Sequence, residues 1–405
     1  MEKKSSNSQP RILKKKHFRV KHQKVKLFRA NEPILSVFMW GINHTINELS
    51  HVNIPVMLLP DDFRAYSKIK VDNHLFNKEN MPSHFKVKEY CPLVFRNLRE
   101  RFGVDDVEYR ESLTRSQPIE IDSPGKSGAQ FYQSYDKFLI VKSLTSEEIE
   151  RMHAFLKHYH PYVVERHGKT LLPQYLGMYR LNVENIQHYF VVMRNVFSSH
   201  LTIHKKFDLK GSTVDREASD KELEKPLPTY KDNDFIKQKI KIQVGEAAKQ
   251  KAFETLNNDV NFLTKLHIMD YSLLVGIHDC VRAEEEAAQS ESNRDAGGRG
   301  ETSESEECDS GERWTYNTPP DSPRCTGQYN EIIHDIDMYA IRSIEERREI
   351  YFMAIIDVLT QYGVKKQAAK AAKTVKYGSN VEGISTCDPE QYAKRFIEFM
   401  DKAIE

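Results

Sequence analysis

Long apolar runs, a secretory signal and paired cysteines are all missing from this sequence of 405 residues. No apolar segment approaches the ~18 residues that a membrane-spanning helix needs. No apolar stretch follows the Lys-rich N-terminus, as one would in a secretory signal. The five cysteines are scattered and include no Cys-x-x-Cys pair, which argues against a disulfide framework or a cysteine zinc site and favours a reducing compartment. We expect a soluble intracellular protein.

A net charge of one sign is also missing, since 60 Lys and Arg balance 59 Asp and Glu to give +1. This balance excludes a uniformly basic nucleic-acid coat and an acidic solvating protein. The charge is unevenly distributed, because residues 1–29 and 365–376 are strongly basic and residues 283–312 are strongly acidic. Basic blocks attract phosphates or an anionic membrane at ~1 kcal/mol per residue. Because only Phe18 and Phe28 interleave the basic N-terminus, we expect no nucleic-acid partner.

The length fits two domains or one large bilobal domain, at ~100–200 residues per domain. Two segments depart from a globular composition. Residues 1–16 are polar and basic, and we expect them to form a disordered tail. Residues 283–330 combine runs of Glu with Ser, Gly-Gly and TPPDSP and contain few apolar residues. We expect an acidic disordered insert there, because so little apolar surface cannot offset the entropy of ordering.

Apolar residues at helical spacing predict several amphipathic helices. The predicted helices cover residues 34–51, 88–102, 145–160, 246–268, 341–349 and 389–403. The third of these begins at the capping box Thr145-Ser146-Glu147-Glu148 and ends before Pro161. Alternating or continuous apolar runs predict strands. The predicted strands cover residues 175–181, 188–192, 271–277 and 354–356, with short strands and turns over residues 104–142.

A glycine-rich turn, Gly125-Lys126-Ser127-Gly128, precedes a predicted strand that carries Lys142. Backbone N–H groups in such a turn can approach phosphate oxygens. A lysine on the following strand can reach the α- and β-phosphates of a nucleotide. The Walker A spacing G-x-x-x-x-G-K-[ST] is absent. A hairpin turn and a surface lysine explain the same residues, so this motif alone leaves both interpretations open.

Two acidic residues adjoin predicted buried strands farther along the chain. Asp270 follows a long helix, where a phosphotransferase positions its substrate-orienting base. Asp357 ends a strand, and magnesium is bound by one or two carboxylates together with substrate phosphates. Either residue could instead be an ordinary strand-end acid. The order of turn, lysine and two acids matches a protein-kinase-like bilobal fold, but H-R-D, D-F-G and A-P-E are absent, and Val275 stands where protein kinases carry a metal-binding Asn.

Longer motifs in the second half of the chain resemble the phosphatidylinositol phosphate kinase family. They are Asp208-Leu209-Lys210-Gly211-Ser212, Met269-Asp270-Tyr271-Ser272-Leu273-Leu274 with Gly276-Ile277-His278-Asp279, and Ile355-Ile356-Asp357. Residues 194–220 resemble the type II branch of that family, the phosphatidylinositol 5-phosphate 4-kinases. The resemblance covers about residues 17–280 and 331–402, which is nearly the whole chain.

The resemblance implies an α+β, bilobal phosphatidylinositol phosphate kinase fold, distantly protein-kinase-like, with a flattened basic membrane-facing surface. The N-terminal lobe would cover residues 17–197, with dimerisation elements in the helix near residues 34–49 and the strands after it. The C-terminal catalytic lobe would cover residues 198–282 and 331–405, with an activation segment near residues 360–387. A homodimer is therefore expected.

The resemblance also implies the roles of individual residues. Asp270 would be the catalytic acid that faces the inositol hydroxyl, Lys142 would contact the ATP phosphates and Asp357 would hold Mg²⁺. The residues expected to bind the nucleotide fall into three groups. Gly125, Ser127, Gly128 and Lys142 would contact the phosphates, and Arg194, Asn195 and Val196 would form a hinge that touches the purine. Phe197, Ile140, Leu274 and Ile356 would form the apolar walls of the purine pocket. Met193 replaces the Thr that accompanies guanine tolerance in the type II branch. We therefore expect ATP as the cofactor and leave GTP use open.

The residues that the resemblance assigns to the substrate are Lys210, Arg216, Lys366, Ala369, Lys370 and Lys373. The first two would hold the phosphate already on the inositol ring, because paired cations suit a phosphomonoester. The three lysines near the C-terminus share one face of a predicted helix, which suits anionic lipid. Ala369 stands near the position of a Glu in the phosphatidylinositol 4-phosphate 5-kinase branch, which favours the 5-phosphate substrate.

The expected function is transfer of the ATP γ-phosphate to the 4-hydroxyl of phosphatidylinositol 5-phosphate at anionic membranes. The expected location is the cytoplasm, peripheral on intracellular membranes or the plasma membrane, with the nucleus as an alternative. Two other functions stay open. One is a low-activity kinase that acts mainly as a phosphoinositide-binding scaffold, for which Val275 in place of a metal ligand leaves room. The other is a phosphatidylinositol 4-phosphate 5-kinase.

Overall fold

The computed structural model describes residues 30–72, 81–122, 128–296, 330–362 and 388–405. Helices and antiparallel sheets share these ranges, which confirms the expected α+β class. The helices are Pro33–Ser50 (α1), Pro92–Arg101 (α2), Asp106–Thr114 (α3), Ser146–Glu165 (α4), Asp220–Leu223 (α5), Asp232–Lys237 (α6), Glu246–Lys265 (α7), Cys280–Ala296 (α8) and Pro389–Ala403 (α9), with a 3-10 turn at Pro60–Phe63. None of the helices in these ranges is long and apolar enough to cross a membrane.

The first sheet comes from the first half of the chain. Its strands are Tyr66–Val71 (β1), Phe85–Tyr90 (β2), Ile119–Ile121 (β3), Phe131–Gln133 (β4), Leu139–Leu144 (β5), Tyr175–Val183 (β6) and Ile186–Arg194 (β7). Within the described residues, these seven strands lie in the order β1-β2-β6-β7-β5-β4-β3, and every neighbouring pair is antiparallel. The central strands β6 and β7 are joined by Glu184-Asn185, both with positive φ, as a two-residue hairpin turn requires.

Helix α1 packs against the first sheet through its apolar face. Pro33 at the first turn has the φ that a helix start needs. Phe38 then contacts the ring of Tyr179 edge to face at 6.0 Å. Gly41 allows a close approach to β2, because a Cβ at that position would lie 2.9 Å from Val87 Cγ1. Burying a side chain such as Phe38 contributes ~1.5–3 kcal/mol, so this contact stabilises the first sheet.

The second sheet comes from the second half of the chain. Its strands are Lys205–Leu209 (β8), Thr229–Tyr230 (β9), Ser272–Asp279 (β10), Ala340–Arg342 (β11) and Glu349–Ile356 (β12). Over the described ranges these five strands lie in the order β11-β12-β10-β8-β9, with only β8 and β9 parallel. Helix α9 anchors the start of β10, because the Tyr392 hydroxyl donates a hydrogen bond to the Tyr271 carbonyl.

The longest periodic segments are predicted correctly. Helices α1, α7 and α9 and strands β6, β7, β10 and β12 lie where the apolar spacing predicts them. The capping box is also confirmed, because the Glu148 N–H donates to Thr145 Oγ1 at 3.2 Å and the Thr145 N–H donates to Glu148 Oε2 at 2.8 Å. These signals are local, so they hold regardless of the tertiary context.

Two boundary predictions are wrong. Pro161 does not end helix α4, which continues to Glu165. The helix tolerates the lost backbone hydrogen bond because Tyr159 and Val163 on either side of Pro161 are fully buried. The helix expected over residues 88–102 begins only at Pro92, because residues 85–90 form β2 and Cys91 between them has a left-handed φ of 48°.

Three further expectations differ from the structure. Residues 106–114 form helix α3, capped by the Asp105 carboxylate, rather than a strand or turn. No helix covers residues 341–349, whose start instead pairs as the short edge strand β11. Helix α8 occupies the start of the segment expected to be disordered, and residues 297–329 lie outside the described residues. Pairing with β12 outweighs the helix propensity of the Glu- and Arg-rich stretch after Ile341.

Candidate functional site

The ends of three strands meet at one edge of the second sheet. Because β10 and β12 are antiparallel with Ser272 opposite Ile356, the start of β10 adjoins the end of β12. Asp270 and Asp357 therefore lie at the same edge. Strand β8 is also antiparallel to β10, with Leu209 opposite Leu273, so Lys210 follows β8 at this edge as well. The sheet register brings together the two acids and a lysine that sequence reasoning had found separately.

Both acids have an unusual backbone conformation. Asp270 and Asp357 each have a φ of 63°, in the left-handed region. For a residue with a Cβ this conformation costs roughly 1–2 kcal/mol, and it persists only where the surroundings enforce it. Such strained positions cluster at functional sites.

Lys142 connects the two sheets. It projects from β5 of the first sheet, and its Nζ lies 3.5 Å from Asp357 Oδ1 of the second. The Lys142 side chain is largely buried, whereas half of the Asp357 side chain is exposed. The lysine also lies 5.5 Å from the centre of the Phe131 ring. A partly exposed carboxylate beside a shielded ammonium can accept a cation on its open side, so the pair can place opposite charges around a polyphosphate.

The predicted apolar walls line the two sheets near this pair. Ile140 lies two residues before Lys142, so both project from the same face of β5. Leu274 and Ile356 share one face of the second sheet, because Ile356 is opposite Ser272. Phe197 packs over the same face, where a Cβ on Gly276 would lie 2.5 Å from its ring. A flat aromatic base fits between apolar faces of this kind.

The predicted hinge is shaped by its own side chains. The Asn195 N–H donates to the Phe138 carbonyl at 2.9 Å, and its side-chain amide donates to the Lys137 carbonyl at 2.9 Å. Asn195 Oδ1 accepts from the Phe197 N–H at 3.2 Å. Val196 packs beside Phe197 in the small apolar cluster at this point. Asn195 thus fixes the turn that leaves the first sheet.

The first residue of the predicted hinge, Arg194, directs its side chain into the protein interior. Its side chain is buried, with Nε donating to Gln174 Oε1 at 2.7 Å and Nη2 donating to the Phe102 carbonyl at 2.9 Å. Burial lowers the pKa of this guanidinium. The expected contact of the hinge with the purine stays a prediction, and for Arg194 it would be made by the backbone rather than by this buried guanidinium. The side chain thus links the hinge to Gln174 and Phe102 in the interior of the protein.

Lys210 and Arg216, the expected phosphate-binding pair, belong to one hydrogen-bonded turn. Asp232 Oδ1 accepts from the backbone N–H of Lys210 at 2.9 Å and of Gly211 at 2.7 Å. Its other oxygen accepts from Arg216 Nε at 2.7 Å. Arg216 Nη2 also donates to Asp208 Oδ1 at 2.8 Å. Although burial opposes its charge, these two acids raise the pKa of Arg216. Its charge is thus shared with carboxylates, which the sequence did not indicate.

Several predicted site residues lie outside the described residues. They are Gly125, Ser127, Lys366, Ala369, Lys370 and Lys373. Gly128 is described and has a φ of 67°, with no atom within 4 Å of where a Cβ would lie. Val275, at the position of the absent metal ligand, is fully buried in β10. It therefore offers the site no polar group.

Sequence reasoning missed a cluster of cations on the first sheet. We call this cluster, Lys68, Lys86, Lys88 and Arg180, the basic sheet face. Lys68, Lys88 and Arg180 lie directly opposite one another on β1, β2 and β6. They border a shallow concavity of about 120 Å³. The alternating patterns KIK in β1 and KVK in β2 were the available signal.

The basic sheet face is on the same side of the first sheet as Lys142. Val191 of β7 lies opposite Lys142 on one side and Met178 of β6 on the other. Arg180 is two residues beyond Met178, and side chains two residues apart project from the same face of a strand. With ~4.8 Å between strands and ~3.3 Å per residue along a strand, the Cα of Arg180 lies roughly 12 Å from that of Lys142.

Cations directly opposite one another destabilise a sheet. No ion pair joins the four cations to a carboxylate within the ranges that the structure describes. Burial, followed by the neighbouring Arg180 and Lys68, lowers the pKa of Lys88. An arrangement that costs stability in the isolated chain is typical of a surface that binds anions.

Lys142 of the first sheet pairs with Asp357 at the edge of the second sheet, where Asp270 also lies. This is the arrangement of a phosphotransferase. A model of the phosphatidylinositol-4-phosphate 5-kinase family matches residues 112–403. This match covers more than half of the chain, so the chain belongs to that family of lipid kinases. As a kinase it uses ATP.

Three relatives are similar to the chain over almost its whole length. Phosphatidylinositol 5-phosphate 4-kinase type-2 alpha of Rattus norvegicus is 60% identical over 395 residues, 96% of this chain and 94% of that protein. The type-2 beta protein of Homo sapiens is 58% identical over 404 residues, with coverage of 96% and 94%. The type-2 alpha protein of Gallus gallus is 59% identical over 398 residues, with coverage of 96% and 95%.

Proposed function

We propose that this protein is a phosphatidylinositol 5-phosphate 4-kinase, which transfers the γ-phosphate of ATP to the 4-hydroxyl of phosphatidylinositol 5-phosphate. The product would be phosphatidylinositol 4,5-bisphosphate. The observation that carries this proposal is the meeting of Lys210, Asp270 and Asp357 at one sheet edge, opposite Lys142. The names of the relatives, at about 60% identity over nearly the full length, support the choice of substrate and hydroxyl.

Positioning and electrostatics account for most of the proposed catalysis. Lys210 and Arg216 hold the phosphate already present on the ring, and this sets the orientation of the ring. Asp270 accepts a hydrogen bond from the 4-hydroxyl and directs it towards the γ-phosphate. Lys142 neutralises charge on the ATP phosphates. Ile140, Leu274, Ile356 and Phe197 cover the faces of the adenine, and Asn195 keeps the hinge open towards it.

Asp357 fits the Mg²⁺ that kinase chemistry implies. Magnesium prefers oxygen ligands and is usually held by one or two carboxylates together with substrate phosphates and water. Asp357 offers a carboxylate that is half exposed, next to a lysine suited to the same phosphates. When bound there, the ion would neutralise charge on the β- and γ-phosphate oxygens. Asp357 is therefore the proposed metal ligand, and ATP rather than GTP the proposed nucleotide.

The basic sheet face supports a membrane context for the reaction. Lys68 and Lys86 are exposed and Lys88 and Arg180 are partly exposed, so the four cations offer a basic surface to an anionic membrane. Cations near an anionic leaflet contribute about 1 kcal/mol each. We propose a peripheral protein, acting as a homodimer on the cytoplasmic side of its membranes, with the basic segments 1–29 and 365–376 adding to this attraction.

One observation favours a second candidate, a phosphoinositide-binding scaffold of low activity. Arg216 is engaged by Asp208 and Asp232, so it must share its charge between these acids and an incoming phosphate. Val275 also supplies no second metal ligand. If the protein is such a scaffold, both features lower its turnover. Lipid binding by the basic sheet face is unaffected by either.

A lipid kinase assay with radiolabelled ATP tests the proposal. Phosphatidylinositol 5-phosphate and phosphatidylinositol 4-phosphate are offered separately, with Asp357→Ala as the control. We expect label on the 5-phosphate substrate alone, lost in the control. Label mainly on the 4-phosphate substrate would make the protein a 5-kinase. No label on either lipid, with vesicle binding intact, would make the scaffold the leading function.

A further inference from the structure

A fully buried carboxylate lies in the middle of helix α7, away from the sheet edge that holds the site. Asp259 Oδ1 accepts from the Tyr162 hydroxyl at 2.6 Å and from Thr170 Oγ1 at 2.8 Å. Its Oδ2 accepts from the Leu171 N–H at 2.6 Å. Burial raises the pKa of Asp259 to about 6. Burying a carboxylate is costly unless it is well hydrogen-bonded, and three donors provide this here.

The residues held by Asp259 continue directly to strand β12. The Leu171 carbonyl accepts a hydrogen bond from the Ile355 N–H at 2.7 Å. Ile355 is two residues before Asp357. A single peptide segment therefore links a buried carboxylate on α7 with the strand end that presents the proposed metal ligand.

This link replaces a missing strand partner. On the side away from β10, strand β12 is paired by β11, but β11 begins at Ala340, opposite Phe352. The Met353 N–H still finds the Tyr339 carbonyl at 3.0 Å. Beyond it no strand continues in the described residues, and the Leu171 carbonyl takes the ladder position at Ile355. The last residues of β12 are thus hydrogen-bonded on one side to β10 and on the other to the segment that Asp259 holds.

We propose that Asp259 is a positioning residue for phosphotransfer, which fixes the end of β12 through Thr170 and Leu171 and so sets the place of the Asp357 carboxylate. Asp357 needs such support because its left-handed φ of 63° is strained. If β12 loosened at Ile355, the backbone of Asp357 would relax from its left-handed conformation. The Asp357 carboxylate would then leave its position 3.5 Å from Lys142 Nζ. This inference rests on the proposed role of Asp357 as the metal ligand.

Three substitutions weaken the link to different extents. Asp259→Asn removes the charge and one acceptor, Tyr162→Phe removes one hydroxyl donor, and Thr170→Val removes the other. Tyr179→Phe is the matched control, because the Tyr179 hydroxyl also donates to a buried carboxylate, Glu89, at 3.3 Å in the first sheet. The control loses a similar hydrogen bond without touching the path to β12.

The measurement is the Mg²⁺ dependence of two properties. The first is the rise in melting temperature with a non-hydrolysable ATP analogue, recorded with Mg²⁺ and with EDTA. The second is kinase activity at saturating lipid. For Asp259→Asn we expect half-saturation at roughly tenfold higher Mg²⁺, as when the supporting partners of metal ligands are removed. The effect of the analogue in EDTA and the KM for lipid should stay at wild-type values.

The outcomes separate this inference from the proposed function. Wild-type Mg²⁺ dependence in folded Asp259→Asn would overturn the inference, and so would an equal shift in Tyr179→Phe. If Asp259→Asn does not fold, Tyr162→Phe and Thr170→Val decide in the same way, with a smaller shift of about threefold. Asp357→Asn is measured alongside. An unchanged Mg²⁺ response in that variant would instead refute the metal role of Asp357.

Discussion

The side-chain ammonium of Lys210 donates a 2.6 Å hydrogen bond to the backbone carbonyl of Asp270. Lys210 is the proposed phosphate ligand, and Asp270 is the acid that orients the hydroxyl. The bond fixes the distance between the point where the existing phosphate is held and the point where the new one is accepted. Since Asp270 is in a left-handed turn, Lys210 also supports its conformation. Recognition and chemistry are therefore coupled at one sheet edge.

Replacing Lys210 should impair lipid recognition and turnover together. Lys210→Met removes both the phosphate contact and the bond to Asp270, and a hydrogen bond to a charged group is worth about 1.5–3 kcal/mol. We expect kcat/KM for the lipid to fall roughly 10- to 100-fold, with the KM for ATP unchanged. Lys205→Met, at the exposed far end of β8, is the control and should retain activity. A change confined to the KM for ATP would contradict this prediction.

The two strained acids should tolerate Asn better than Ala. Asp270→Asn and Asp357→Asn should each reduce turnover by roughly 100-fold or more, because a carboxylate that handles the hydroxyl or the metal is lost. Asn accepts the left-handed conformation more readily than Ala does. The Ala variant at each site should therefore be less stable than the Asn variant by about 1 kcal/mol, measured by urea unfolding. Equal stabilities would show that the positive φ carries no strain.

Removing cations from the basic sheet face should weaken membrane binding without loss of stability. The double variant Lys68→Ala with Lys88→Ala should lower binding to anionic vesicles by about 2 kcal/mol, roughly 30-fold, as measured by co-sedimentation. Its unfolding free energy should change little, because relief of the repulsion of Lys88 with Lys68 and Arg180 offsets the loss of the contacts of Lys88 with the Tyr66 and Tyr90 rings. Lys251→Ala on helix α7 is the control, and an equal effect there would refute a localised membrane surface.

A buried glutamate should make stability depend on pH. Burial raises the pKa of Glu89 from 4.5 to about 7, against the opposing effect of Arg99. The folded state then holds more protons than the unfolded state between these values, so stability falls as pH rises from about 4.5 to 7. The loss should be on the order of 3 kcal/mol. Asp259, whose pKa is raised from 3.8 to about 6, adds a comparable slope below about pH 6, so the range from pH 6 to 7 reports on Glu89 rather than on Asp259.

Glu89→Gln should remove most of this slope. The unfolding free energy is measured in urea across the same pH range. Glu150→Gln, at an exposed position of α4, should leave the slope unchanged. A wild-type slope in Glu89→Gln would contradict the assignment of the proton to Glu89.

Elements with strong local signals could be predicted from the sequence. The capping box at Thr145 and the apolar period of α7 depend on neighbours within one or two turns. Helix α3 and strand β11 could not be predicted in this way, because their state depends on distant partners. For β11 that partner is β12, which is paired through Ile341 and Tyr351.

The motifs largely predicted which residues form the candidate site, but they did not predict the hydrogen bonds that orient the side chains. The sequence identified Lys142, Asp270 and Asp357 by residue type and order. It placed Arg194 in the hinge but did not indicate that the guanidinium is buried and donates to Gln174 and to the Phe102 carbonyl. Long polar side chains can reach in several directions, and which direction is taken depends on acceptors far away in the chain.

By itself, the sequence determined which groups are available for phosphotransfer and on which kind of element each one stands, because residue type and apolar period are local properties. Only the tertiary structure decided that these groups meet. The antiparallel register of β8, β10 and β12 places Lys210, Asp270 and Asp357 at one edge, and Lys142 reaches that edge from another sheet. Register follows from burying one face of each strand, so it is a property of the whole packed core.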